Sequence, residues 1–203
     1  MTAVIGPLTR SDARPLAQVH REAFPGFFLS SLGERFLLQF YMGFLDDPTA
    51  VTVVARASDG SVLGAAVGTT EPQGYYRRLL RRRWPGFLGA SALAVLRRPT
   101  AAPRLLRAAR RPGDVPGETA GALLSSICVA PKAQGSGLGA ELLTAWSQEA
   151  SRLGASTAFL TTDAEGNDAV NRFYARHGWS LDDVHSTPEG RRMNRYTIRL
   201  GGH

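Results

Sequence analysis

Three alternating glycines at the start of a helix-forming segment constrain this chain more than any other feature. Residues 129–140 read V-A-P-K-A-Q-G-S-G-L-G-A, and apolar residues recur at helical spacing directly afterwards. Glycine has no Cβ, so the backbone N–H groups of such a turn can approach an anion closely. The first N–H groups of a helix also lack intrahelical partners and carry the positive end of its dipole. The segment therefore predicts a phosphate-binding turn between a strand and a helix.

The same glycines fit a second kind of site, the dinucleotide-binding fingerprint. Gly135-x-Gly137-x-x-Ala140 matches G-x-G-x-x-G/A, and Asp163 could bind a ribose. A dinucleotide-binding fold needs several further βα units after this turn, but only 40 residues follow Asp163. Five residues also separate the strand from the first glycine. The length of the chain therefore disfavours the dinucleotide interpretation.

The residues from 129 onward resemble the Q/R-x-x-G-x-G/A signature of the GCN5-related N-acetyltransferases, the GNAT superfamily. Gln134, Gly137 and Gly139 occupy the signature positions. The resemblance implies acetyl-CoA as co-substrate, with its pantetheine paired to the preceding strand and its pyrophosphate on the turn. The residues implied in binding it here are Ile127, Cys128, Val129, Gln134, Gly135, Ser136, Gly137, Leu138, Gly139 and Ala140.

A second segment, residues 167–179, resembles the N-x-x-A-x-x-x-Y-x-x-x-G-F pattern of the same family, from which it departs by a valine and a tryptophan. Helical geometry places Asn167, Asn171 and Tyr174 on one face. The resemblance implies that the two asparagines help to bind the co-substrate and that Tyr174 protonates the departing thiolate. The alternatives are an N-cap for Asn167 and a core position for Tyr174. The neighbouring stripe expected to face the core comprises Val170, Phe173 and His177.

The general base that an amine acceptor requires cannot be identified from the sequence. Many members of the family carry a glutamate on the fourth strand, where this chain offers only Ser125 and Ser126. The backbone N–H of Val129 or Cys128 is expected to polarise the thioester carbonyl. A water relay is one alternative to a side-chain base. The side-chain candidates are His20, Glu22, Glu71 and Asp163.

The chain is long enough for one domain, which we expect to span residues 1–203. A single cysteine excludes an internal disulfide and suits a reducing compartment. No run is long and apolar enough to span a bilayer, and residues 1–10 lack the features of a signal peptide. We therefore expect a cytoplasmic protein, and we expect no metal ion.

Hydrophobic periodicity predicts alternating strands and helices in the GNAT order. The resemblance implies an α/β (α+β) fold with a mixed, mostly antiparallel central sheet flanked by helices. Predicted strands are 3–9, 51–57, 62–69, 122–130, 157–162, 179–184 and 192–200. Predicted helices are 11–24 with Ser11 or Asp12 as cap, 31–45, 138–153 and 167–177.

An arginine-rich insertion, roughly residues 72–118, separates the third and fourth strands. Between Pro72 and Gly113 there are eleven arginines and no acid, so this segment carries +11 and the remainder of the +7 chain carries −4. It is predicted to be helical, with an apolar stretch at 84–96 and a last helix starting at Pro103. It could be a hairpin packed on the sheet, a lid over the acceptor pocket, or a patch that contacts a membrane surface or a protein.

The expected reaction is acetyl transfer from acetyl-CoA to an amine by direct attack in a ternary complex. A small-molecule acceptor is favoured, and an acidic one such as an amino-sugar nucleotide if the arginines face the pocket. The alternatives are a protein amine as acceptor, or a non-catalytic acyl-CoA-binding module. The basic segment lacks the interleaved aromatic residues of a nucleic-acid platform, so we expect no nucleic acid partner.

Overall fold

A seven-stranded sheet organises the part of the chain that the computed structural model describes, namely residues 3–97, 120–187 and 190–201, without the side chains of 28 and 92–97. The strand order is β1-β2-β3-β4-β5-β7-β6, and every pairing is antiparallel except that of β4 with β5. The strands are β1 Val4–Gly6, β2 Ala50–Arg56, β3 Val62–Thr69, β4 Ala122–Val129, β5 Thr157–Asp163, β6 Ser180–Ser186 and β7 Arg192–Arg199. The mixed, mostly antiparallel sheet is thereby confirmed.

Helices cover both faces of this sheet. In the described residues they are α1 Ala13–Ala23, α2 Phe28–Ser31, α3 Glu34–Leu45, α4 Tyr75–Arg82, α5 Trp84–Arg97, α6 Leu138–Arg152 and α7 Asp168–Arg176. None of the described helices is long and apolar enough to cross a membrane.

The core lies in two layers, one on each side of β3, which is buried along its whole length. On one face α6 buries Leu142 and Trp146, and the Trp146 indole N–H donates to the Val51 carbonyl at 3.1 Å. On the other face α1, α3 and α4 pack around residues such as Tyr41 and Cys128. The sheet therefore separates a face covered by α6 from a face covered by α1, α3 and α4.

The sheet is weakly joined at its one parallel pairing. Strands β4 and β5 pair through only two positions, Ala122 with Ala158 and Leu123 with Phe159. A register shift of β4 against β3 follows at once, because Gly68 pairs with Leu124 whereas the preceding residue of β3 pairs with Ser126. Beyond Leu123 and Phe159 the strands β4 and β5 are not paired, and we call the gap between them the cleft.

Three sequence expectations about the helices need correction. The predicted helix 31–45 begins only at Glu34, because Gly33 adopts a φ of 90° before it, and Ser31 ends the separate short helix α2. Asp12 stands at the N-cap of α1, but its carboxylate accepts from Thr9 and Arg56 instead of capping the helix. Val170, expected in the core stripe of α7, is 37% exposed, and the most buried side chain of that helix is Tyr174.

The insertion begins with α4 and α5, as the helical prediction required, and the last helix predicted from Pro103 lies outside the described residues. Arg78 and Arg82 both contact the buried Asp47 carboxylate, at 3.5 and 3.3 Å. Arg83 pairs with Asp46 and donates to Gln39. These contacts hold α4 against the end of α3 and the loop that follows it.

Candidate active site

The edge of β4 that faces the cleft carries unpaired backbone groups. The Ala130 N–H donates to the Leu63 carbonyl of β3 at 2.7 Å, and strand alternation then directs the N–H of Cys128 toward β3 as well. The N–H groups of Ile127 and Val129 point the opposite way, toward the cleft. Two backbone N–H groups were predicted to polarise the thioester carbonyl, those of Val129 and Cys128. The register directs only the Val129 N–H toward the cleft, because the Cys128 N–H faces β3.

The Gln134 side chain lies at the open end of this edge. Its amide donates to the Val129 carbonyl at 3.2 Å, which confirms that this carbonyl faces away from β3. The Gln134 backbone N–H donates to Pro131 at 3.3 Å in a short 3-10 turn, Pro131–Ala133. The contribution of Gln134 to the site is therefore limited to its side chain.

The glycine turn presents a row of backbone N–H groups at the start of α6. Gly135 and Gly137 have φ values of 77° and 88°, which side chains rarely adopt, and nothing lies within 4 Å of the position of a Cβ at either. Ala140 donates to the Gly137 carbonyl at 2.9 Å, so its N–H is already used. Five N–H groups make no backbone hydrogen bond within the described residues: those of Gly135, Ser136, Gly137, Leu138 and Gly139. An anion can approach this turn from solvent.

Asn167 and Asn171 hold the loop between β5 and α7. The Asn167 amide donates to the Thr162 hydroxyl at 2.7 Å, and the Asn171 amide donates to the Asp163 carbonyl at 3.1 Å. Asn194 of β7 donates to the Asn171 side chain at 3.0 Å. Neither asparagine caps α7 with its side chain. Their amides thus fix the position of the helix that carries Tyr174.

Tyr174 is buried at the junction of α7 with the second half of the sheet. Its ring packs against Trp179 and Tyr196, at centroid distances of 6.1 and 5.8 Å. Burial raises the pKa of the Tyr174 phenol above its ordinary value, so the group stays protonated at neutral pH. A protonated phenol is able to donate a proton or a hydrogen bond.

The four candidate bases occupy very different surroundings. The Asp163 carboxylate accepts two hydrogen bonds of 2.6 Å from Arg191, and Glu71 and Glu22 are exposed. His20 is buried, and burial lowers its pKa to about 4. Its Nδ1 contacts the Tyr41 hydroxyl at 2.9 Å, and that hydroxyl lies 3.5 Å from the Cys128 sulfur. Asp163 and His20 therefore have their basic atoms engaged, whereas Glu71 lies 3.9 Å from Arg78 and Glu22 is exposed.

Most of the described arginines of the insertion are engaged by acidic side chains. Arg77 and Arg81 lie on the exposed side of α4 and make no ion pair within the described residues, while the other three arginines of α4 and its end are held by Asp46 and Asp47. Trp84 and Leu88 of α5 are exposed, whereas Phe87 is buried against Phe36.

Two features of the structure were not predicted from the sequence. The bulge in β4 directs the side chains of Ser125 and Ser126 to the same face, and Tyr76 of α4 lies beside Ser125. Two adjacent serines in an otherwise apolar strand were the only available signal. A separate open depression of about 650 Å³ beside Thr157 and Arg199 lies at the far end of β5 from the glycine turn.

An open strand edge leads into a row of backbone N–H groups, an arrangement that can hold an extended ligand with an anionic end. The sequence model of the acetyltransferase (GNAT) family matches residues 14–179, and the chain belongs to this family. It is accordingly an acyltransferase enzyme. No curated protein sequence matches the chain.

Solved structures support the fold. A protein from Desulfovibrio desulfuricans assigned to the GNAT family is 18% identical over 98% of this chain and 100% of its own, with a TM-score of 0.64. The ribosomal-protein-S18-alanine N-acetyltransferase of Escherichia coli is 14% identical over 100% and 96%, with a TM-score of 0.60. The protein yncA of Salmonella typhimurium, solved with acetyl-CoA, is 16% identical over 100% and 96%, with a TM-score of 0.61.

Proposed function

We propose that the protein transfers the acetyl group of acetyl-CoA to the amine of a small acceptor molecule, by direct attack in a ternary complex. The observation that carries this proposal is the cleft-facing edge of β4, which ends at the five unengaged N–H groups of the glycine turn. A pantetheine arm would pair with the edge, and a pyrophosphate would lie on the turn. The acetyl-CoA bound to the similarly folded yncA supports the choice of ligand.

The backbone of β4 and the glycine turn would bind and orient the co-substrate. The Val129 carbonyl accepts a ligand amide once the Gln134 side chain moves aside. The N–H groups at the start of α6 stabilise the two phosphates through direct hydrogen bonds and the helix dipole. Acetyl-CoA supplies an activated acyl group as a thioester.

Two groups of the chain would act on the reacting atoms. The Val129 N–H, directed into the cleft, donates to the carbonyl oxygen as negative charge develops there. The N–C bond forms as the C–S bond breaks, and the amine loses a proton while the sulfur gains one. Tyr174 donates that proton to the departing sulfur; because the parent thiol, with a pKa of about 8.5, is a stronger acid than the phenol, the phenolate then recovers the proton that the amine has released to water.

The amine must lose a proton before it attacks, because a free alkylamine has a pKa of about 10.4. Asp163 is engaged by Arg191, and His20 is buried in contact with Tyr41. Water in the open cleft therefore serves as the proton acceptor in this proposal. The acceptor need not be acidic, since three of the five arginines expected to capture it are held by Asp46 and Asp47.

Calorimetry with acetyl-CoA tests the first half of the proposal, and thiol release in the presence of primary amines tests the second. We expect acetyl-CoA to bind in a 1:1 complex and free thiol to appear in proportion to acetylated amine, identified by mass spectrometry. An absence of acetyl-CoA binding to the folded protein would refute the proposal as a whole.

A further inference from the structure

A tyrosine of the inserted segment reaches the bulged part of β4. Tyr76 is half-buried on α4, and its phenol lies beside the Ser125 hydroxyl. Burial raises the pKa of Tyr76, while the neighbouring Ser125 hydroxyl acts in the opposite direction. The Ser125 Oγ is buried, and the Tyr76 phenol is the one group beside it among the described residues, without forming a geometrically well-made hydrogen bond. Two buried hydroxyls that are incompletely hydrogen-bonded would be complemented by a polar ligand atom.

The bulge places Ser125 where the pairing of β4 with β5 ends. Ser125 lies two residues beyond Leu123, which makes the last pairing of β4 with β5, and two residues before Ile127, whose N–H faces the cleft. A bulge commonly redirects a side chain next to an active site. Here it turns Ser125 toward the face of the sheet that α4 covers.

The same face is the one from which a second substrate would approach. A ligand that lies along the β4 edge with its anionic end on the turn is covered on one side by α6. An acceptor that reaches Tyr76 and Ser125 would come from the opposite side, that of α1, α3 and α4. The two ion pairs of Asp47 with Arg78 and Arg82 hold α4, and thereby Tyr76, in place.

We propose that Tyr76 and Ser125 together bind the attacking nitrogen of the acceptor, and that the acceptor is a primary amine. This inference rests on the proposed acetyl transfer and names residues that position its second substrate. A neutral primary amine has two N–H bonds, one for each hydroxyl oxygen, and its lone pair remains available for the carbonyl carbon. A secondary amine has one N–H and satisfies only one of the two hydroxyls.

The test compares primary amines with their N-methyl derivatives. Benzylamine, ethanolamine and glucosamine serve as probes, each beside its N-methyl form, and thiol release gives kcat/KM. The variants are Tyr76→Phe and Ser125→Ala. Tyr75→Phe is the matched control, because it keeps the ring that packs against Phe44 and Tyr76 and removes only the hydroxyl of the adjacent tyrosine of α4.

We expect each variant to lower kcat/KM for primary amines by about 3- to 10-fold, the usual effect of one hydrogen bond. The preference of the enzyme for primary over N-methyl amines should shrink by a similar factor, and the acetyl-CoA dissociation constant and the control variant should be unchanged. A purely structural role would lower both amine classes alike and leave the preference intact.

Two results would overturn the inference. One is an unaltered preference for primary amines in Tyr76→Phe. The other is a parallel loss of acetyl-CoA affinity, which would assign the hydroxyls to the co-substrate. Failure of the wild-type protein to bind acetyl-CoA is a different result, and it would refute the proposed function itself.

Discussion

The side-chain amide of Gln134 donates to the carbonyl oxygen of Val129 at 3.2 Å, on the edge of β4 that β5 leaves unpaired. The Gln134 side chain thus occupies the Val129 carbonyl, to which a bound ligand would donate. The N–H of Cys128 points the other way, toward β3.

The register leads to a prediction for amide hydrogen exchange. Without ligand, the N–H groups of Ile127 and Val129 should exchange faster than those of Ser126 and Cys128, because only the latter two bond to β3. Acetyl-CoA should slow exchange at Val129 and leave Cys128 unchanged. Two-dimensional NMR of the labelled protein measures both. Equal protection at Val129 and Cys128 in the free protein would contradict the assignment.

Charge at the glycine turn gives a second prediction. Gly139→Asp should abolish acetyl-CoA binding, because the carboxylate would repel the pyrophosphate. The fold should persist: a Cβ at this position meets Phe173 at 3.7 Å, an ordinary contact, and an acid suits the first turn of a helix. Gly139→Asn is the neutral control of similar size. Calorimetry gives the affinities, and comparable losses in both variants would point to crowding instead of charge. Gly137 is less suitable, because its positive φ would strain any side chain.

Tyr174→Phe should lower kcat by about 10²- to 10⁴-fold and leave the acetyl-CoA dissociation constant unchanged. Because burial raises the pKa of this phenol, no alkaline fall of kcat below about pH 10 should arise from it. Tyr196→Phe is the control, since its ring packs on Tyr174. Pre-steady-state measurement of thiol release decides the point, and a wild-type rate in Tyr174→Phe would remove the residue from the mechanism.

Asp47→Asn should loosen the anchored end of the insertion. Burial by itself would raise the pKa of Asp47, but hydrogen bonds from Thr49 and the charges of Arg78 and Arg82 outweigh it and lower that pKa. The lost stability should be about 1–3 kcal/mol, because both arginines are partly exposed. A carboxylate with a lowered pKa stabilises the fold above its unfolded value of 3.8, and this stabilisation disappears as the pH falls through the lower folded value.

Urea unfolding of wild type and Asp47→Asn at several pH values measures this contribution. The difference between the two should be constant near neutral pH and should shrink below about pH 4. Asp59→Asn, which alters an exposed turn, is the control. A difference that persists unchanged into strong acid would show that the charge of Asp47 is not what holds α4.

Because His20 is buried, we expect the free energy of unfolding to decrease as the pH is lowered. The unfolded chain takes up a proton near pH 6.5, whereas burial lowers the folded pKa to about 4. Between these values only the unfolded state binds the proton, so stability decreases as the pH drops from 6.5 to 4 and then levels off. The full effect is about 3 kcal/mol. His20→Asn should reduce this slope in urea unfolding, and an identical slope would show that His20 remains accessible to protons.

Local pattern predicted much of this structure, and pairing between distant segments accounts for what it missed. The glycine turn and α6 follow from neighbouring residues, so both were predicted correctly. The two-position pairing of β4 with β5 and the bulge at Ser125 depend on strands far apart in sequence. The ion pairs of Arg78 and Arg82 were also not predictable. The sequence shows that the segment is rich in arginine, but their partner Asp47 lies some thirty residues earlier. Periodicity likewise could not show that Val170 lies on an exposed part of α7.

The two-position junction of β4 with β5 has a consequence for the way the molecule unfolds. The sheet consists of two halves, β1–β4 and β5–β7, and few backbone hydrogen bonds join them. The strand pairing with the fewest paired positions therefore lies next to the cleft. If a molecule bound there as proposed, it would contact β4 on one side and the second half of the sheet on the other, and binding would join the two halves. Heat or denaturant should then separate the two halves in distinct steps more readily in the free protein than in the complex.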